Sequence, residues 1–192
     1  MNAYRDADCS IKVSGQKFSC HRLVVQLASS YIQSLLDNAT DREIPIELDL
    51  PEVTARAFEY VVRFAYRGKV ELDANVVGDV LTAAEALSMP RLRVACVAFM
   101  TQTVDPENCL RYWSYLESYD FSVSAEQTLY KRCRSVARST FSRAIDSPRH
   151  LTGVTDSIME MLLRDDGLLV CNTVCVLSFC VNYELFKCHS FS

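Results

Sequence analysis

Apolar and polar positions alternate near the start of the chain. Within 9–13 the odd-numbered positions are apolar and the even-numbered ones polar, which is the pattern of a half-buried β-strand. A turn sequence at 14–16 separates this run from a second one at 17–20, so the two runs predict a β-hairpin. A third alternating run at 44–50 predicts another strand, for which Pro45 favours a sheet edge or a strand start.

Over most of the remaining chain, apolar residues recur at intervals of three and four, as they do on one face of a helix. Ser29 and Thr54 precede two of these runs as predicted N-caps. Gly68 is a predicted left-handed helix end, the run at 69–72 predicts a short strand after it, and Pro90 suits the first turn of a further helix. The predicted helices cover 21–28, 30–37, 53–66, 76–87, the stretch from Pro90, the stretch from Asp105, 129–144 and 158–162.

Strands and helices therefore mix in the first hundred residues, and strand signals stop after Val104. The predicted fold class is α+β, with a small mixed sheet flanked by a helical cluster and followed by an all-α region. With 192 residues, 49% of them hydrophobic, the chain is large enough to form one or two cores.

Charge and composition narrow the function classes. The net charge of −4 provides no overall positive field, so neither nucleic acid nor an anionic membrane is the expected partner, which leaves other proteins. The basic residues of 129–144 read as the solvated side of an amphipathic helix, because no aromatic residues interleave with them. The N-terminus lacks the apolar run of a secretory signal, which predicts a cytoplasmic location, with the nucleus as an alternative.

The sequence predicts no enzyme, no cofactor and no metal site. It contains no Gly-rich phosphate loop, no Gly-x-Ser-x-Gly motif and no metal-ligand spacing. His21 is predicted to be a hydrogen-bonding structural residue and not a base. The nine cysteines are odd in number, and five of them lie among apolar residues, which predicts buried thiols. These five are Cys9, Cys20, Cys96, Cys109 and Cys133.

Several motifs resemble those of a known family. Phe18, His21 and Arg22, with the helical run that follows them, resemble the "F-x-x-H-R/K-x-x-L" signature of BTB/POZ domains. The segment 58–70 resembles the family's "F-x-x-x-L-x-F-x-Y-T-G-x-I", and 83–87 its "A-A-x-x-L". The resemblance implies a BTB/POZ domain at 8–104.

The next segments resemble the BACK region that follows the BTB domain in kelch-like proteins. The run 105–110 resembles the start of that region, "D-P-x-N-C", and 161–166 resembles its "L-x-x-L-L-x-x-D-D-L". The resemblance implies a partial BACK region at 105–167. Kelch-like BTB-BACK proteins link substrates to cullin-3 ubiquitin ligases, so it also implies an adaptor in protein ubiquitination.

By the same resemblance, the surface that would face the N-terminal region of cullin-3 includes the residues Leu36, Ala39, Asp41, Tyr66, Asp105 and Asn108. Tyr66 has an alternative interpretation, in which it packs against Leu35 or Leu36. Many cullin-binding members carry a large apolar residue where this chain has Ala39. The lost burial is about 1–2 kcal/mol, or roughly tenfold in affinity, so we expect weaker binding.

The resemblance also implies self-association as a homodimer or heterodimer. Asp8 and Arg22 match a charged pair near the family's dimer interface, although an ordinary intrachain pair is an equal interpretation. Only seven residues precede Asp8, too few for the N-terminal helix that family dimers exchange. We therefore expect weakened dimerisation.

The last segment, 168–192, departs from the family. It is hydrophobic and Cys-rich, and it occupies the place of further BACK helices and kelch blades. We expect it to cover the helical core, with a membrane anchor and a zinc site as less favoured readings. A chain without kelch repeats has two alternative functions: a BTB scaffold in transcription or the cytoskeleton, and a truncated competitor for the partners of a complete adaptor.

Overall fold

The computed structural model describes residues 6–38, 46–48, 50–117, 124–145 and 154–165. Among these residues, two strands, two helices and a third strand are followed along the chain by helices. The chain divides into two compact units, Met1–Phe99 and Met100–Ser192. A mixed sheet with helices, followed by helices alone, confirms the predicted α+β class.

The sheet of the first unit has three strands. The central strand β1 (Cys9–Val13) pairs antiparallel with β2 (Gln16–Cys20) and parallel with β3 (Ile46–Leu48). The predicted hairpin is confirmed, but its turn is one residue shorter than predicted. Ser14 and Gly15 form it alone with φ of 47° and 80°, the left-handed values that a two-residue hairpin turn requires. The predicted strand at 44–50 is confirmed for Ile46–Leu48, and positions 44, 45 and 49 lie outside the described residues.

Four helices follow the sequence pattern closely. They are α1 (Arg22–Ala28), α2 (Ser30–Asn38), α3 (Ala55–Arg67) and α4 (Val77–Ala86). The Thr54 hydroxyl accepts a hydrogen bond from the backbone N–H of Ala57 at 3.1 Å, which confirms the predicted N-cap. Gly68 has a φ of 67° and its N–H donates to the carbonyl of Phe64, so the predicted left-handed helix end is also confirmed.

The strand predicted at 69–72 does not form. Lys69 and Glu71 are exposed, while Val70 and Leu72 are only half-buried. Exposed and half-buried side chains therefore alternate as predicted, but half-buried side chains do not require the backbone to join a sheet. The prediction was wrong because alternation reports which side chains face inward and not whether a neighbouring strand is available.

The core of the first unit joins the sheet to α3. Phe58 is fully buried, and its ring meets that of Phe18 edge to face, with centroids 4.9 Å apart and an interplanar angle of 67°. Such aromatic pairs add about 0.5–1.5 kcal/mol beyond the area they bury. Other core residues include Ile11, Val13, Ile32, Ala57, Val61, Val80, Leu81, Leu87 and Leu92.

The remaining helices are α5 (Pro90–Thr103), α6 (Cys109–Glu117), α7 (Ser124–Ile145) and α8 (Asp156–Leu163). Pro90 is the first residue of α5, as predicted. The second unit buries Trp113, and its ring meets that of Tyr130 edge to face at 5.4 Å. The predicted helices at 129–144 and 158–162 are confirmed within α7 and α8.

Candidate interaction site

Tyr66, near the end of α3, contacts the residue that precedes α1. Its hydroxyl oxygen lies 2.7 Å from the backbone nitrogen of His21, which donates to it, and 2.8 Å from Nδ1 of the His21 ring. The two rings also meet at 62° with centroids 5.8 Å apart. These contacts confirm the predicted hydrogen-bonding role of His21. They also join two sequence motifs that are 45 residues apart.

Asp8 and Arg22 come together as predicted, but through a backbone group. The N–H of Arg22, the first residue of α1, donates to Oδ1 of Asp8 at 2.7 Å. The side chain of His21, at the N-cap position, makes no capping hydrogen bond. A carboxylate beside a helix N-terminus satisfies an unpaired N–H and opposes the positive end of the helix dipole. Asp8, the residue before β1, therefore caps α1 within one chain.

The guanidinium of Arg22 points to a different part of the molecule. Nη2 donates to the carbonyl oxygen of Leu36 at 2.5 Å and lies 3.9 Å from Oδ1 of Asp37. Leu36 itself is buried, with 2% of the residue exposed, and its carbonyl is occupied by Arg22. Arg22 thus ties the start of α1 to the end of α2. Ala39 and Asp41, which follow α2, lie outside the described residues.

Asp105 and Asn108 build the turn that precedes α6. Oδ1 of Asp105 accepts from the N–H groups of Glu107 and Asn108 at 2.8 and 2.9 Å. The Asn108 amide accepts from the Asp105 N–H at 3.0 Å and donates to the Thr103 carbonyl at 2.9 Å. This is the cap that the sequence predicted at the start of a helix: the Asp105 carbonyl also accepts from the N–H of Cys109 at 3.0 Å, and α6 begins at Cys109 after the turn at 106–108. Asn108 is buried, so it shapes this segment from within.

One feature of the surface escaped the sequence reasoning. Leu23 and Leu27 are 67% and 81% exposed, while Val25 is the buried residue of α1. Residues four apart lie on the same helix face, so the two leucines form an apolar pair on the side away from Val25. The sequence signal that could have predicted this pair is the four-residue spacing of the two leucines. An exposed apolar pair of this kind is a candidate contact for another protein.

The five cysteines predicted to be buried are buried and free. Burial raises the pKa of Cys96 to about 12 and that of Cys109 to about 11, so both stay neutral thiols near neutral pH. Within the described ranges, no three His, Cys, Asp or Glu side chains are grouped as metal ligands would be. Over the same ranges, no helix combines the length and the apolar character that crossing a bilayer demands. The segment 168–192, with the zinc and anchor readings, lies outside the described residues.

Comparison with known proteins identifies the class. The sequence model of the BTB/POZ domain family matches residues 1–104, which is more than half of the chain. The chain therefore belongs to the BTB/POZ domain family, whose domains bind other proteins. This confirms the resemblance found in the motifs at 18–36 and 58–70.

Several similar proteins are named kelch-like. Kelch-like protein 24 of Homo sapiens is 27% identical over 171 residues, which cover 86% of this chain and 27% of that protein. Kelch-like protein 21 of Danio rerio is 28% identical over 152 residues, covering 78% and 25%. The chain thus spans about a quarter of the length of these relatives. The solved BTB domain of human Gigaxonin is 22% identical, with a TM-score of 0.45 over 50% of this chain and 80% of that one.

Proposed function

We propose that this chain is a noncatalytic adaptor module that binds the N-terminal region of cullin-3 in a RING ubiquitin ligase. The family match supports protein binding, and the relatives named kelch-like support the adaptor class. The match to Kelch-like protein 24 covers 86% of the chain and so extends past the BTB domain. This extension supports a BTB domain at 8–104 with a partial BACK region at 105–167.

The observation that carries the proposal is the set of hydrogen bonds around the start of α1. Tyr66 is held to His21, and the carbonyl of Leu36 is held to Arg22. Two of the six residues named for the cullin-facing surface, Tyr66 and Leu36, are thereby fixed to one short segment. A fixed surface binds at a lower entropic cost than one that must be ordered first.

Calorimetry with the purified N-terminal domain of cullin-3 tests the proposal. We expect measurable heat with a dissociation constant on the order of micromolar to tens of micromolar, weakened by Ala39. Ala39→Leu should tighten binding about tenfold, because it restores about 1–2 kcal/mol of apolar burial. Val94→Leu is the matched control, since Val94 is 58% exposed and its replacement also adds apolar volume.

Absence of heat for both the unmodified chain and Ala39→Leu would contradict the cullin-3 proposal. Equal tightening by Val94→Leu would show that added apolar surface, and not the position of Ala39, changes the affinity. A folded chain without affinity for cullin-3 would fit the alternative of a BTB scaffold outside ubiquitin ligases.

Self-association through α1 is a second candidate function. The specific observation is the exposure of Leu23 and Leu27, 67% and 81%, on a helix whose first N–H is capped by Asp8. Two copies of the chain meeting through these leucines would remove both from water, which is worth about 1.5–3 kcal/mol for each fully buried side chain.

Sedimentation equilibrium tests this surface. We expect a concentration-dependent dimer that Leu23→Glu weakens, because a carboxylate would have to be desolvated in the contact. Val94→Glu, on another exposed helix position, is the control and should leave the association unchanged. A monomer at every concentration, or equal loss with both variants, would contradict the proposed surface.

A further inference from the structure

Two buried cysteines face each other across the β-hairpin. Cys9 begins β1 and Cys20 ends β2, and the register pairs them directly. Paired residues in antiparallel strands project their side chains to the same face. Both side chains are buried, Cys9 with 6% exposure and Cys20 with none. The hairpin therefore places two thiols side by side at the end farthest from its turn.

The backbone spacing at this pair suits a covalent bond. The tight turn makes Val13 and Gln16 a hydrogen-bonded pair, and such pairs recur at every second position along the ladder. Cys9 and Cys20 fall on that series. Cα atoms in such pairs are about 5.5 Å apart, and disulfides most often span about 5.5–6 Å. The Cα spacing is thus within the span of a disulfide, and the Cβ atoms, about 4.5–5.5 Å apart in paired residues, must approach to about 3.5–4.5 Å for the bond to form.

The thiols also differ in chemical character. The Cys20 thiol donates a hydrogen bond to the Cys9 sulfur, which lowers the pKa of Cys9 to about 7, with Arg22 adding to the effect and burial and Asp8 opposing it. The same contact raises the pKa of Cys20, and burial raises it further. Cys9 is therefore the better nucleophile and Cys20 the proton donor beside it.

We propose that Cys9 and Cys20 are a modification site, a dithiol that a hydroperoxide such as hydrogen peroxide converts to an intrachain disulfide. Cys9 Sγ attacks one peroxide oxygen, the O–O bond breaks, and a proton completes the departing water, leaving a sulfenic acid on Cys9. Cys20 Sγ then attacks the Cys9 sulfur and the S–O bond breaks. The leaving hydroxide takes the Cys20 proton as a second water. Two thiols lose two electrons, and one peroxide gains them.

The disulfide would link the two strand ends that lie next to the interaction site. Cys9 follows Asp8, which caps α1, and Cys20 precedes His21, which binds Tyr66. A bond between the two cysteines would therefore fix the strand ends from which both contacts arise. This inference goes beyond the proposed function and does not depend on which protein binds there.

Peptide mapping of the oxidised full chain tests the proposal directly. Trypsin cleaves after Lys12 and Lys17, so Cys9 is recovered in fragment 6–12 and Cys20 in fragment 18–22. The reduced protein is treated with hydrogen peroxide, its remaining thiols are blocked with iodoacetamide, and the digest is analysed by mass spectrometry. We expect the two fragments to be recovered joined, and separate after treatment with dithiothreitol.

Variants check the assignment. Cys9→Val and Cys20→Val should each abolish the joined fragment, whereas Cys109→Val should leave it unchanged, because the high pKa of Cys109 keeps it a neutral thiol. Recovery of both fragments with iodoacetamide after peroxide treatment would overturn the proposal. So would a Cys9 oxidised to sulfinic acid beside a blocked Cys20, or a bond from Cys9 to another cysteine. The mapping of the unmodified chain decides the matter even if a variant fails to fold.

Discussion

The BTB region (1–104) and the helical region that follows it (α6 to α8) use polar side chains in different ways. In the BTB region the decisive hydrogen bonds join distant residues, as between His21 and Tyr66, 45 residues apart, or Ser29 and Leu87, 58 apart. In the helical region the turn before α6 is held by residues only three apart, Asp105 and Asn108. Long-range polar contacts also occur there, such as that of Arg134 with Asp165, in which the donor is well exposed and the acceptor is buried.

This difference explains where the candidate interaction site lies. Distant hydrogen bonds fix a segment against several elements at once, and three of them converge on the start of α1 at His21 and Arg22. The helical region depends on local caps and on its apolar stripe, which shape one element at a time. Removing a buried distant contact of the BTB region should therefore cost more than removing an exposed local contact.

The largest expected effect on stability is at an apolar contact between distant residues of the BTB region. Phe58→Ala should lower the free energy of unfolding by about 3–5 kcal/mol, because it removes a fully buried ring and its edge-to-face contact with Phe18. Urea denaturation followed by far-UV circular dichroism measures the change. Arg56→Ala, at an exposed position of the same helix, is the control, with an expected change within about 0.5 kcal/mol. A loss below about 1 kcal/mol for Phe58→Ala would contradict the proposed role of α3 in the core.

A smaller effect is expected at Ser29. Its hydroxyl donates to the Leu87 carbonyl at 2.5 Å and accepts from the Ile32 N–H at 3.0 Å, and the residue is 1% exposed. Ser29→Ala leaves a buried acceptor and a helix N-cap without their partner, which should cost about 1–3 kcal/mol.

Ser34→Ala provides the matched substitution. The Ser34 hydroxyl donates only locally, to the Ser30 carbonyl at 3.1 Å, and the residue is exposed. We expect a change within about 0.5 kcal/mol in the same urea titration. Similar losses for the two variants would mean that the distance in sequence and the burial of the contact do not matter, which would contradict the role given to distant hydrogen bonds in the BTB region.

The sequence predicted local features well. The hairpin, the N-caps Ser29 and Thr54, the helix end at Gly68 and the start of α5 at Pro90 all depend on residues a few positions apart, whose steric and hydrogen-bonding preferences are fixed by residue type. The resemblance to BTB family motifs predicted how these elements combine into a fold. The strand predicted at 69–72 failed because pairing depends on a distant partner.

The described residues of the candidate site make contacts that the sequence did not predict. Tyr66 was expected to pack on Leu35 or Leu36 or to meet a partner, yet its hydroxyl binds His21. Asp8 was expected to face the guanidinium of Arg22, yet it caps the backbone of α1. Local pattern does not specify which distant group a polar side chain will meet, since that depends on how the elements pack.

The smallest expected effects compare one ion pair from each region. Lys12 Nζ lies 2.9 Å from Oε1 of Glu47 in the BTB region, with both side chains well exposed. In the helical region Arg134 donates twice to Oδ2 of Asp165, at 2.9 and 2.7 Å, and that carboxylate is only 6% exposed. The hydrogen bonds that Arg134 donates to the Asp165 carboxylate raise the pKa of Arg134 above its ordinary value. The acceptor, and not the donor, is the buried partner here.

Arg134→Gln should therefore cost more than Lys12→Gln, about 1–2 kcal/mol against less than about 0.5 kcal/mol, because it weakens the pairing of a buried carboxylate. Arg138, whose Nε lies 3.3 Å from Oδ1 of Asp165, limits the loss. Urea denaturation in low and high salt measures both variants. Salt should reduce the small Lys12 effect further and leave most of the Arg134 effect. Equal losses in the free energy of unfolding would show that the exposure of the two donors, and not the burial of Asp165, sets the contribution of each pair. The Arg134–Asp165 contact would then stabilise the fold no more than the exposed Lys12–Glu47 pair.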